Sequence, residues 1–338
     1  MTRRDPIDLL EAWALDAVDA HERAAVDALL EERPELRVEA MRLRRAASLL
    51  VGTDVIEPAR ALRERVLTAA TDARRAGRAA DGIRPAPPLA ALRRQVADLE
   101  ALLVELTPEQ WRSDVDDRFT VHHLAAHLVA VANYSSSTLD HGDFVPPAGT
   151  EAEHVAMTLP TVDALVARPV EETRVALHDA MARLLDQLDA MPLDARIAVY
   201  GASWSVQQLV AARVFEVWAH AEDMRRAIGT ARHDPEPADL SLLCTIAVLS
   251  LPAGLAKMGT PRPDHTVKLV LTGPGGATFT QRMGVDAPVA PQTSVVVEAI
   301  DFCRLAARGL TVDELRYDAF GDLAVVADVL VAAQAFAA

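Results

Sequence analysis

The stretch "RVFEVWAHAEDM" (residues 213–224) carries Arg213, Glu216, His220 and Asp223 at i, i+3, i+7 and i+10. On an α-helix these positions fall along one stripe. Val214, Val217, Trp218 and Ala221 sit among them, so the helix should be packed inside something. A Glu and a His four residues apart can reach one ion, because their side chains leave adjacent turns. The same spacing also suits a solvated polar pair. A metal site needs a third ligand from elsewhere.

"FTVHHLAAH" (119–127) offers one, with His123 and His127 again four apart. Ligands projecting inward from facing helices of a bundle can converge on one ion. A His/Glu/His set leaves an open coordination position, as catalytic divalent sites require. A core histidine bonded to a backbone carbonyl explains His127 equally well. "WSVQQLVAA" (204–212) echoes this first stretch. Each has an aromatic, then Thr120 or Ser205 as N-cap, then Val-x-x-Leu.

Working outward, helical patterns cover approximately 89–106, 120–134, 171–190 and 205–228, separated by loops rich in Pro, Gly and Asp. Four helices of that length predict a four-helix bundle. Beyond residue 230 "HTVKLVL" (265–271) alternates, "TGPGG" turns, "ATFTQRM" can return as a partner strand, and "TSVVVEAI" (293–300) reads as another. The tail from Asp301 reads as helical, entered through "GLTVDEL" and "GDLAVVADVLVAAQAFA". Before the bundle, residues 6–70 read as short helices, with Pro6, Pro34 and Pro58 at helix starts and Leu10 and Trp13 on an apolar face. Residues 71–88, "TDARRAGRAADGIRPAPP", read as a linker. The fold class is therefore mainly α with a C-terminal α+β part. The domains expected are a short helical module (1–70), the linker (71–88), the bundle (89–230) and the α+β domain (231–338).

The chain has 338 residues, 51% of them hydrophobic, enough for a large core and more than one domain. A net charge of -15 argues against nucleic acid as a direct partner. Residues 1–88 hold 15 Lys/Arg and 16 Asp/Glu, so nearly all the excess acid lies beyond them. That asymmetry separates the N-terminal module from the remainder. Cys244 and Cys303 lie far apart and form no disulfide framework or zinc pattern, which fits a reducing, cytoplasmic compartment. The start, "MTRRDPIDLLEAW", does not read as a signal peptide. "LSLLCTIAVLSLPAGLAKM" (240–258) contains Pro252 and reads as a core helix with a break, poor as a membrane span.

"FTVHHLAAHL" resembles the W-T-V-x-x-L-x-A-H-L signature of the mycothiol-dependent maleylpyruvate isomerase family, within the DinB-like bundle superfamily. "RVFEVWAHAEDMRRAIG" resembles that family's R-x-x-E-x-W-x-H-x-x-D motif. "VVVEAIDFCRLAARGLTVDELRYDAFGD" is similar to its C-terminal domain, an SCP2-like α+β unit. The resemblance covers roughly residues 88–338 and implies a divalent metal, usually zinc, held by His127, Glu216 and His220. It implies supporting positions at Asp223 and Arg213, and at His123, which stands where the family usually has Asp. The implied chemistry uses mycothiol: a zinc-bound thiol is stabilised as thiolate and adds to a small electrophile, with isomerisation or S-transfer following. Arg308, in "ARGL", and Arg282 are candidate binders of an anionic group, and each equally suits an exposed surface.

"LLEAWALDAVDAHERAAVDALLEERPELRVEA" (9–40) resembles the N-terminal helices of zinc-associated anti-sigma factors, with Trp13 at the aromatic position. Leu29, Arg33 and Leu36 replace the expected His and two Cys ligands, so the module should be zinc-free. The resemblance implies a sigma factor as partner, contacted through residues such as Trp13, Leu10 and Leu36. Two functions then stand. The first is a cytoplasmic anti-sigma factor whose metal-binding domain acts as sensor of a thiol, metal or electrophile. The alternative is a mycothiol-dependent metalloenzyme, isomerase or S-transferase, acting on small electrophiles. Neither calls for a membrane or direct nucleic acid.

Overall fold

The computed structural model describes residues 6–15, 17–33, 36–37, 39–43, 84–140, 151–199 and 202–335. Its contacts divide the chain into two units, one built on the N-terminal helices and one spanning Gly82–Leu310 and Arg316–Ala338.

In the first unit a 3-10 turn, Pro6–Leu9, leads into α1 (Leu10–Ala14), and α2 follows at Ala20–Glu32. Asp19 caps α2: its carboxylate accepts from the backbone of His21 and Glu22, while Glu22 accepts from Asp19 N–H at 3.2 Å. That reciprocal pairing is a capping box. Leu9, Leu10, Trp13, Val26, Leu30 and Ala40 form the core, with Leu36 and Leu43 packed against it. Trp13 Nε1 donates to Asp27 Oδ1 at 3.0 Å, which satisfies the indole as it is buried. The helix expected from Pro58 and most of the 71–88 linker lie outside the described residues.

The second unit begins with the bundle. Its helices are α3 (Pro88–Glu105), α4 (Val121–Asp140), α5 (Glu151–Val166), α6 (Val170–Ala190) and α7 (Val206–Ala227). Four of them match the expected patterns; α4 runs further than anticipated. Helix α5, packed on α4, is an addition, and Pro160 inside it interrupts the pattern that would have announced it. A hairpin of β1 (Arg196–Val199) and β2 (Ala202–Ser205) also joins α6 to α7, pairing Ile197 with Trp204.

The α+β part opens with α8 (Pro237–Lys257), followed by β3 (Thr266–Thr272), β4 (Thr278–Arg282), β5 (Thr293–Glu298), α9 (Ala299–Ala306), β6 (Tyr317–Phe320) and α10 (Leu323–Ala333). The sheet order is β4-β3-β5-β6, with β3 and β5 parallel and the outer pairs antiparallel. Leu269 faces Val295 and Leu271 faces Val297, placing buried aliphatics side by side in the two central strands. Strand β6 and the segment 309–315 depart from expectation. "GLTVDEL" forms bends and turns, entered through Arg308 at φ 58, a left-handed conformation that ends α9.

Helix α8 is continuous through Pro252, contrary to the expected break. Leu243, Ala247, Val248 and Leu251 are fully buried, so packing holds the helix across the missing N–H. Gly254 permits this packing, since a Cβ there would stand 2.3 Å from the Ala332 carbonyl of α10. By length and composition α8 could cross a membrane, but 61% of that window is buried inside the fold.

Polar contacts fix the α+β part to the bundle. The Arg94 guanidinium of α3 binds the buried Asp239 carboxylate of α8, with Nε–Oδ2 at 3.0 Å. Arg304 of α9 reaches Glu222 of α7 at 3.4 Å and Asp234 at 2.7 Å. Glu222 and Arg225 are themselves buried, and Arg225 also binds Asp98 of α3 at 2.7 Å.

Candidate metal centre

Both helices that carry the expected ligands begin from reciprocal caps. Ser205 Oγ accepts from Gln208 N–H at 3.2 Å, and Gln208 Oε1 accepts from Ser205 N–H at 2.8 Å. At α4, Thr120 Oγ1 accepts from His123 N–H at 3.4 Å, and Thr120 N–H donates to His123 Nδ1 at 3.3 Å. His123 therefore plays at α4 the part Gln208 plays at α7. This is where the structure places His123, at the mouth of the helix one turn before His127, with its ring against Phe119.

His127 projects from α4 toward α7, and Glu216 and His220 project from α7 to meet it. One potential ligand atom from each lies within 4.8 Å of the others. His127 Nε2 is 3.6 Å from Glu216 Oε1, and the two imidazoles meet edge to face with centroids 5.3 Å apart. The side chains of His127, Glu216 and His220 are 23%, 20% and 23% exposed, so the cluster is enclosed yet open on one side.

The neighbours are charged. Arg213 Nη1 lies 2.6 Å from Glu216 Oε2, out of line for a hydrogen bond. Asp223 Oδ2 lies 3.6 Å from His220 Nδ1, and Asp223 Oδ1 takes a 2.7 Å bond from Arg226. Burial opposes ionisation of Glu216, yet the Arg213 guanidinium, His127 and His220 outweigh it and bring its pKa down to about 2. Burial likewise opposes charge on His220, but Asp223 and Glu216 prevail and raise its pKa. The centre is thus a carboxylate and two imidazoles steadied by an outer Arg and Asp.

The donor set fits a divalent ion. Two donors each about 2.1 Å from a common ion sit roughly 3.4 Å apart at a tetrahedral angle. The 3.6 Å separation of His127 and Glu216 is near that value and too long for a good hydrogen bond. Glu216 Oε2, His220 Nδ1 and Arg213 Nε are buried without hydrogen-bond partners.

The other expected residues fall elsewhere. Arg308 Nε donates to the Gln334 carbonyl at 2.9 Å. Arg282 Nε donates to the Ala287 carbonyl at 2.9 Å, and its Nη2 to that of Val285. Both guanidiniums therefore bind main-chain carbonyls. Leu10 and Trp13 are 7% and 5% exposed and Leu36 packs on the same cluster, so these side chains hold their own unit together and present little surface to a partner. Sequence reasoning missed Arg226, whose bond to Asp223 needs only i,i+3 spacing, and the capping role of His123. It also missed a cleft of about 660 Å³ at the start of α4, lined by Trp111, Arg112, His122, His123 and Arg168 among others.

A helical bundle with a His/Glu/His centre between two helices defines the class. Within it, residues 92–225 match the family model for the mycothiol maleylpyruvate isomerase N-terminal domain. That span contains every residue of the centre and Asp223. Two Mycobacterium tuberculosis proteins, uncharacterized protein MT0041 and uncharacterized protein Rv0036c, are each 26% identical over 254 residues, 70% of this chain and 91% of theirs. A crystal structure of the mycothiol-dependent maleylpyruvate isomerase aligns over 68% of this chain and 91% of that one, with 15% identity and a TM-score of 0.49. The matched span lies within the bundle, and nothing in these matches points to a sigma factor.

Proposed function

We propose that this chain is a mycothiol-dependent metalloenzyme, an isomerase or S-transferase for small electrophiles, with its divalent metal held by His127, Glu216 and His220. The observation that carries the reading is the convergence of those three side chains from α4 and α7, inside the span that matches the family model. A divalent cation in such a site acts as a Lewis acid that favours the thiolate form of a thiol.

The chain's own residues prepare the site. Arg213 keeps Glu216 ionised and ready as an anionic ligand. Asp223, itself held by Arg226, faces His220 and orients its ring. His127, Glu216 and His220 would hold a divalent ion by three ligands and so leave a position that a thiol could take. The partly open face of the cluster gives it a way in.

The test is metal analysis of the purified chain together with turnover of an electrophile panel, with and without mycothiol. Bound divalent metal and mycothiol-dependent turnover are expected. Protein that carries metal yet turns over nothing with mycothiol would overturn the enzymatic reading and leave the ligand assignment standing.

A further inference from the structure

Cys244 and Cys303 are the chain's two cysteines, 59 positions apart, and nothing in their sequence spacing links them. The fold brings them together. Cys244 stands on α8 and Cys303 on α9, each 0% exposed, with Sγ to Sγ at 3.5 Å. Cys244 Sγ also points at the Ala299 carbonyl, 3.8 Å away at the start of α9. Neither thiol is among the side chains of the candidate metal centre.

We propose that Cys244 and Cys303 are a dithiol pair that a small peroxide converts to an intramolecular disulfide. A disulfide has its sulfurs about 2.0 Å apart, so the two thiols need to close by only about 1.5 Å. In the first step one thiolate attacks the peroxide; an S–O bond forms, the O–O bond breaks and water leaves, giving a sulfenic acid. In the second step the facing thiol attacks that sulfur and displaces the hydroxyl as a second water. Two electrons pass from the pair to the peroxide. Burial and the facing thiol hold Cys303 protonated, so a brief opening of the α8–α9 contact starts the reaction. Closure then favours the facing thiol over solvent as the second reactant. The link would tie α9 to α8 next to Arg304, the residue that reaches Glu222 on the metal-bearing helix.

The test uses the folded full chain with hydrogen peroxide, followed by alkylation in denaturant, intact mass and peptide mapping. The expected product is a monomer lighter by two hydrogens, with no alkylated cysteine and one peptide pair joining Cys244 to Cys303. Reduction should restore two alkylatable thiols. The Cys303→Ala variant should yield no such product. Persistence of two free thiols, sulfinic acid at either position, or cross-links only between chains would each overturn the proposal.

Discussion

His127 Nε2 and Glu216 Oε1 stand 3.6 Å apart across two helices, and neither helix alone could hold an ion with them. Removing one of three ligands should therefore empty the centre. Purified protein is expected to carry about one divalent ion per chain, and His127→Ala well under half of that. Elemental analysis checks the loss, and an unchanged helical circular dichroism spectrum shows that the bundle survives it.

Asp223 touches the site through His220 and should act on affinity more than on occupancy. Asp223→Asn removes the charge that faces the imidazole and keeps the side chain's shape. A loss of about 10–100-fold in metal affinity is expected, measured by competition with a chelator. An unchanged affinity would mean that Asp223 serves Arg226 alone.

The two caps make a paired prediction. Thr120→Ala and Ser205→Ala should each cost about 0.5–2 kcal/mol in urea denaturation. His123→Gln should lie within about 0.5 kcal/mol of the parent, because Gln closes the same box at Ser205. His123→Ala should be less stable than His123→Gln.

His122 gives a pH dependence. Its Nε2 meets Thr173 Oγ1 at 2.8 Å in a buried setting, and burial, then the neighbouring His123, depress its pKa below 6.5. In the window between the depressed value and 6.5 the unfolded chain binds the extra proton and the folded chain does not. The contribution of His122 to stability is complete above that window and is lost as pH falls through it. Urea midpoints from about pH 7 to about pH 5 should drop less steeply in His122→Gln than in the parent. Equal slopes would sink the assignment.

The helices that carry the candidate ligands were legible because their signals are local: an i,i+4 Glu/His pair, a His behind a Thr cap, and apolar residues at helical spacing. Helix α5 escaped because Pro160 breaks its pattern, and β1, β2 and β6 because four residues carry too little alternation to read. Long-range meetings had no signal at all. Cys244 and Cys303 touch only because α9 leaves β5 over α8, and Trp13 meets Asp27 only because α2 folds back against α1.

The boxed starts of α4 and α7 set the angular origin from which the ligands are counted. His127 lies about two turns from Thr120, and Glu216 and His220 about three and four turns from Ser205. An insertion in the loops ahead of either cap would lengthen the path to the helix without turning it. The donors would keep their bearing toward one another, so the loops around this centre are free to diverge while the three side chains still converge.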